Sequence, residues 1–387
     1  MKHKILIITS ILPVQELEFK KNENDILLDV EERILKNYSD IEFNYLFVLP
    51  FSLFVIGIFS KKWRDFYNLK NKKNVNVRGR NVFILPIIIL PKKTILRNII
   101  YKISFFLYKK RIHEIYNKIQ PSLIHAQNVE GDLFVADYFN RLFNVPFIVT
   151  LRQFRNDLPQ FITKKIEKAK NVIALSYQQK INYHLNSNNL QYLPHGIDES
   201  FITESKKFPC DKLRMVTVCR LIKLKNISLT LKVLANLKRE FQYDIYGDGP
   251  EYIRLSEEIK VLGLVNKVKL IGQIENNKLP QILTKYNLFL MVSSPETFGR
   301  VYFEAMAAGV PVVAAKNTGI DGIITEGKHG YLINYGKEEE LFNLLNNLTI
   351  NQMKEISPYC TEFAKEFSWN NILFKLHNTY TETNNEN

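Results

Sequence analysis

The sequence predicts an α/β protein built from two doubly wound units, each a parallel sheet with helices on both faces, opposed across a cleft. Three observations carry that expectation. Short apolar runs alternate with longer amphipathic stretches along the chain, the rhythm of βαβ units. The short runs are continuous in Val, Ile and Leu instead of alternating in and out, as in strands buried on both faces. At 387 residues the chain also exceeds what one hydrophobic core usually organises.

Strands are expected in the first half at residues 5–8, 45–49, 82–85, 123–125, 147–150 and 172–175. The second half offers 215–218, 243–246, 268–271, 288–292, 312–314 and 331–333. The opening Met1-Lys2-His3-Lys4 followed by Ile5 to Ile8 looks superficially like a leader. The apolar run breaks at Thr9-Ser10 and no small-residue cleavage site follows, so a first buried strand is expected instead. The apolar stretch from Tyr45 to Phe59 is 15 residues long and contains Pro50, too short to span a bilayer. A strand followed by a partly exposed helix is expected there. The polar end, Thr381 to Asn387, is expected to be disordered.

A hydrophobic fraction of 46% with 24% charged residues is that of a packed globular chain. Cys210, Cys219 and Cys360 are widely spaced and odd in number, with no Cys-x-x-Cys pair. They read as reduced thiols, neither a disulfide frame nor a metal site, and point to a cytoplasmic setting.

The most informative stretch runs from Ser294 to Gly309 and holds two carboxylates, Glu296 and Glu304. Pro295 and Gly299 keep the first out of a helix, while Arg300 to Ala308 are good helix formers ended by Gly309, with Pro311 beyond. Glu296 is therefore expected on the loop at the helix mouth and Glu304 inside the helix. The unpaired backbone amides near Phe298 and Gly299 would suit a phosphate or another anion. Two carboxylates beside an anion cradle fit a ligand carrying both hydroxyls and phosphate, a nucleotide sugar. On spacing alone, the same glutamates would also serve as helix caps and dipole partners.

The segment resembles the glutamate-x7-glutamate motif of retaining glycosyltransferases of the GT-B fold, in family 4, also described as glycosyl transferases group 1. Val218-Cys219-Arg220-Leu221 with Lys225 resembles that family's Gly-Arg-Leu…Lys-Gly element, with Cys219 and Asn226 in the glycine positions. Tyr246-Gly247-Asp248-Gly249-Pro250 and Leu262-Gly263-Leu264 resemble its Gly-x-Gly-Pro segment and the helix end that follows. Pro194-His195-Gly196-Ile197-Asp198 is similar to its Pro-Asn-Gly-Val-Asp hinge, with histidine for asparagine. The resemblance covers about residues 120 to 380 and is most specific in the C-terminal half.

It implies a GT-B arrangement of two Rossmann-like domains: an acceptor-binding domain at 1–198 and a nucleotide-sugar-binding domain at 199–365. A helix at 366–380 crosses back to the first domain, and the tail at 381–387 follows. The resemblance further implies that Glu304 holds ribose hydroxyls and that Glu296 contacts the transferred sugar. Arg220 and Lys225 would stabilise the departing diphosphate, a guanidinium fork and a mobile ammonium doing so without a metal. Arg152, in Val149-Thr150-Leu151-Arg152-Gln153, stands where relatives carry Thr-x-His-Gly or Thr-x-Arg-Gly, and would lie at the cleft floor. A plain strand-end charge is the other reading of it. The catalytic candidates are thus Glu296, Arg220, Lys225 and Arg152. The substrate-binding candidates are Glu304, Phe298, Gly299, Arg300, Gly247, His195 and His125. For Gly247 a tight strand-to-helix turn is the alternative. For His125, in a His-x-His…Gly element whose second histidine is missing, core packing is. The glycine-rich loop that some members carry after the first strand is missing from Leu12-Pro13-Val14-Gln15.

Charge bears on partners. From Lys61 to Arg111, fifteen Lys and Arg face one acid, Asp65, a net +14, which equals the net charge of the whole chain. No nucleic-acid module accompanies this segment, so no nucleic acid is expected. Interleaved with Trp63, Phe66, Tyr67, Ile95, Ile99, Ile100, Phe105 and Phe106, it reads as a surface for anionic lipid. The expected function is transfer of a sugar from a UDP- or GDP-linked donor to a saccharide or lipid-linked acceptor, in surface polysaccharide or glycolipid synthesis, with no cofactor. The alternatives are a nucleotide-sugar 2-epimerase and a catalytically silent GT-B partner subunit.

Overall fold

The structure, a computed structural model, describes residues 2–14, 26–51, 61–88, 97–152, 158–183, 185, 189–203, 208 and 212–382. The chain divides into two compact units. One comprises Met1–Ala174, Asn182–Gln191 and Leu373–Asn387, the other Leu175–Ile181 and Tyr192–Ile372.

The first unit opens with β1 (His3–Thr9), α1 (Ile26–Asn37), β2 (Ile41–Phe51) and α2 (Lys61–Leu69). A hairpin follows, β3 (Asn74–Val77) and β4 (Arg80–Ile88). Next come α3 (Arg97–Leu107), α4 (Lys109–Ile119), β5 (Leu123–Ala126), α5 (Gly131–Phe143), β6 (Phe147–Leu151), α6 (Gln160–Ile166) and β7 (Asn171–Ala174). After α7 (Tyr177–Asn182), all but the last residue of which belongs to the second unit, β8 (Leu190–Tyr192) closes a sheet of order β3-β4-β2-β1-β5-β6-β7-β8. The pairs from β4 through β7 are parallel, and β3 is antiparallel to β4. Leu6, Ile8, Leu46, Ile124 and Val149 form the buried spine, as their unbroken apolar runs require.

Two features of this unit were not foreseen. The sequence Asn-Val-Asn-Val is polar at every second position, so it makes an edge strand with one buried face. Its turn places Arg78 and Gly79 at φ of +50° and +80°, the left-handed pair that a two-residue hairpin needs. The other is Glu31 on α1, whose carboxyl is 1% exposed, with neither oxygen hydrogen-bonded among the described residues. Burial pushes its pKa up to about 8, against the pull of the nearby Arg80 and Arg152 charges.

In the second unit, β9 (Leu213–Val218), α8 (Ile227–Ala235), β10 (Phe241–Tyr246), α9 (Tyr252–Val261), β11 (Val268–Gly272), α10 (Leu279–Leu283) and β12 (Leu288–Leu290) lead to α11 (Arg300–Ala307). β13 (Val312–Ala315), β14 (Gly330–Ile333), α12 (Glu338–Asn347), α13 (Ile350–Lys365) and α14 (Trp369–Glu382) complete it, and the end of α14 belongs to the first unit. The sheet order is β11-β10-β9-β12-β13-β14, with every neighbour parallel. Numbered along this unit, that is 3-2-1-4-5-6, so the winding reverses between β9 and β12. Ligands of doubly wound sheets bind where the winding reverses, beyond the carboxyl ends of the strands.

Helix α14 includes Thr381 and Glu382, so the first two residues of the stretch expected to be disordered are helical, and 383–387 lie outside the described residues. Residues 52–59 of the apolar run, Gln15, Ile95, Gln153, Cys210 and residues 89–96 of the basic segment lie outside the described residues. Among the described residues, no helix is long and apolar enough to cross a membrane.

Candidate active site

The loops after β9 and β12 flank the reversal point, and they bring together residues that lie far apart in sequence. Lys225 Nζ donates to Glu296 Oε2 at 2.6 Å, with both side chains largely buried. Lys225 ends a 3₁₀ turn at Lys223–Lys225, closed by Asn226 in the left-handed conformation that asparagine tolerates. The two loops are joined along the backbone as well, since the Ser294 amide donates to the Leu224 carbonyl at 3.1 Å.

Glu296 is fixed from three further sides. The Ser293 hydroxyl donates to the same Oε2 at 3.4 Å, and the Glu296 carbonyl accepts from the Gly319 amide at 2.8 Å. Gly319 packs so closely that a Cβ there would stand 2.2 Å from the Thr297 carbonyl oxygen. The third side is Gly299, at φ of +72°: a Cβ on it would meet the Tyr302 ring at 2.5 Å and the Glu296 side chain at 3.2 Å. Tyr302 is held by its own hydroxyl, which donates to the Met291 carbonyl at 2.5 Å. Gly319, Ser293 and Tyr302 were not singled out from sequence. Gly319 follows Thr318 just after a strand, and that placement was its only visible mark.

Helix α11 begins at Arg300, with Gly299 as its cap. The amides of Phe298, Gly299 and Arg300 have no backbone partner among the described residues and mark the positive end of the helix. Glu304, one turn in, is 7% exposed and receives Arg300 Nε on Oε1 at 2.8 Å. Burial raises the Glu304 pKa, while Arg300 pulls it back. Phe298 itself is buried against Phe303, ring centroids 4.5 Å apart, so only its backbone can face a ligand. The His195 ring lies edge-on to Phe298 at 6.5 Å.

Arg220 is exposed, and its side chain has no partner among the described residues. Cys219 before it is half-buried, and desolvation pushes its thiol up to about 12, which disfavours the thiolate. Gly247 supports this loop from below. At φ of +136° it passes so near Cys219 that a Cβ would lie 1.8 Å from the carbonyl oxygen. Gly249 does the same against Leu221, whose amide donates to the Asp248 carbonyl at 2.9 Å. The Gly-Asp-Gly turn is thus the floor beneath Arg220, which is how its two glycines act on the site.

The candidates Arg152 and His125 belong to the first unit. Arg152 donates through Nε and Nη2 to Gln127 Oε1, at 3.0 and 2.6 Å. Desolvation lowers it to about 10, opposed by Glu31, Tyr380 and Asp132, so it stays charged. His125 is 3% exposed, with Nδ1 hydrogen-bonded to the Tyr380 hydroxyl at 2.8 Å and Nε2 to the Thr150 hydroxyl at 2.7 Å. Burial takes its pKa down to about 3. Both ring nitrogens are thus occupied by side chains of the same unit.

Residues 198–367 match the family described as Glycosyl transferases group 1. That segment belongs to this family. It contains Arg220, Lys225, Gly247, Glu296 and Glu304 together. Over 261 residues, 58% of this chain and 66% of the other, the sequence is 25% identical to a 2-deoxystreptamine N-acetyl-D-glucosaminyltransferase of Niallia circulans. The phosphatidylinositol N-acetylglucosaminyltransferase gpi3 subunit of Schizosaccharomyces pombe is 22% identical over 60% of this chain and 54% of its own length. The matched segments thus span less than two thirds of these curated relatives. A lipopolysaccharide outer core galactosyltransferase shares the fold over 98% of this chain and 99% of its own, with a TM-score of 0.67 and 16% identity. These likenesses establish the GT-B fold for a chain whose group 1 segment carries the paired glutamates.

Proposed function

We propose that the protein is a retaining, metal-independent glycosyltransferase that moves a hexosyl group from a UDP- or GDP-linked donor to an acceptor hydroxyl. The observation that carries this reading is the joining of Lys225 and Glu296 beside the mouth of α11, at the reversal point of the second sheet. In the proposed complex, Glu304 holds the ribose hydroxyls and the amides at Phe298 and Gly299 face the diphosphate. Lys225 and Arg220 take up the negative charge that grows as the bond from the anomeric carbon to the phosphate oxygen breaks. Glu296 lies beside the transferred sugar, its charge shared between Lys225 and the forming cation. The acceptor oxygen bonds the anomeric carbon, and its proton passes to the leaving phosphate, on the face that the phosphate departs.

Relatives and neighbours named for 2-deoxystreptamine, phosphatidylinositol and lipopolysaccharide support an acceptor that is a saccharide or a lipid-linked group. A solved Anabaena protein of the same fold holds UDP and glucose, which supports the donor class. We place the reaction in surface polysaccharide or glycolipid synthesis, with the acceptor presented by the first unit and the protein peripheral on the inner face of a membrane.

The test separates the two glutamates. Glu304→Ala should weaken donor binding, whereas Glu296→Gln should leave binding nearly intact and depress turnover. Calorimetric titration and initial rates on each variant read both effects. Unchanged affinity and turnover in both would refute the assignment.

A further inference from the structure

We infer that α3 is a docking helix for an anionic lipid surface. This deepens the membrane setting proposed above, yet it rests on the surface of the helix and needs no transfer reaction. On α3, Ile99, Ile103 and Phe106 follow at helical spacings of four and three, and Leu107 stands beside them. Their exposures are 53%, 47%, 80% and 60%, an apolar stripe turned to solvent on a helix whose other face is already packed.

The rotation of the helix is fixed. The Ser104 hydroxyl accepts from the Ile88 amide at 3.0 Å and donates to the Ile100 carbonyl at 3.0 Å. The Tyr101 ring lies 4.3 Å from Phe134, and Phe105 lies 4.3 Å from Tyr138, both against α5. With Tyr101, Ser104 and Phe105 buried, the stripe cannot turn inward without breaking these contacts.

Charge decides the occupant. Residues 97–111 carry five Lys and Arg and no acid. Lys102 on α3 and Lys109 and Lys110, which follow it at the start of α4, are exposed, and their long stems let the ammonium groups reach phosphate level while the apolar side chains sink in. The structure also narrows the basic segment. Arg111 donates to the carbonyls of Lys70, Ile84 and Asn71, Arg80 pairs with Glu32 at 2.8 Å, and Lys73 pairs with Glu114 at 3.1 Å. Those three serve the fold, and the lysines around α3 are left for lipid phosphate.

Flotation with phosphatidylglycerol and with phosphatidylcholine vesicles tests this, using wild type, Ile103→Asp with Phe106→Asp, and Lys102, Lys109 and Lys110 all changed to Gln. Wild type should float with the anionic vesicles at low salt. Binding should drop at least tenfold in either variant, and should weaken at 0.5 M salt as the screening length shrinks from about 10 Å at 0.1 M. Nucleotide-induced thermal shift should be the same in all three proteins, showing that the variants fold. Failure of wild type to float, equal flotation of the variants, or equal binding to neutral vesicles would overturn the inference. So would light scattering that shows a dimer which the aspartate variant converts to monomer, because the stripe would then belong to a second copy.

Discussion

Replacing Lys225 with Ala should lower turnover by roughly a hundredfold or more, the usual cost of deleting one charge-stabilising group at a reacting centre. In the proposed mechanism the change acts twice, since it removes the cation assigned to the leaving diphosphate and leaves Glu296, 16% exposed, without its 2.6 Å partner. Arg220→Ala should give a loss of similar size with less effect on stability, because its side chain is exposed and has no partner among the described residues. Steady-state rates at saturating donor, read beside urea unfolding, separate the two. Turnover within a few-fold of wild type in both variants would remove the leaving-group role.

The second large effect is structural. Gly247→Ala should destabilise the protein by several kcal/mol, since overpacking alone costs about 1–3 kcal/mol and the positive φ adds roughly 1 more. The Cβ would stand 1.8 Å from a backbone oxygen, which cannot swing aside as a side chain does. Gly263→Ala is the control. At φ of +68° with nothing within 4 Å, it should cost only the conformational part, about 1 kcal/mol. Urea denaturation of both variants should show Gly247→Ala much the weaker protein; equal losses would mean that the contact with Cys219 has no energetic consequence.

The sequence made the strands of both sheets legible where burial is two-sided. Runs such as Ile-Leu-Ile-Ile at 5–8 and Val-Val-Ala-Ala at 312–315 have no polar side to present, so only a central parallel strand suits them. The strands it did not reveal, β3 and β8, are an edge strand of alternating polarity and a piece three residues long. Glu31 was hidden for a related reason: within Asp-Val-Glu-Glu-Arg it looks like a solvated helix face, and what buries it comes from other elements.

At the site, resemblance named Lys225 and Glu296 but gave them separate duties. Their direct contact depends on the order of β9 and β12 in the sheet, which no local pattern encodes. Gly319 escaped notice because its importance is a distance to Thr297, not a motif. His125 shows the converse, a motif residue that the fold occupies internally with Thr150 and Tyr380.

The most direct test of the central claim, that the second unit holds a nucleotide-linked donor, is a thermal-shift panel of UDP, GDP, ADP and CMP run with and without EDTA. A nucleotide held at one hundred times its dissociation constant stabilises by about 2.7 kcal/mol. UDP or GDP should raise the unfolding temperature by an amount of that order, with chelator making no difference. If none of the four shifts it, or if the shift vanishes with EDTA and returns with Mg²⁺, the donor site described here is wrong.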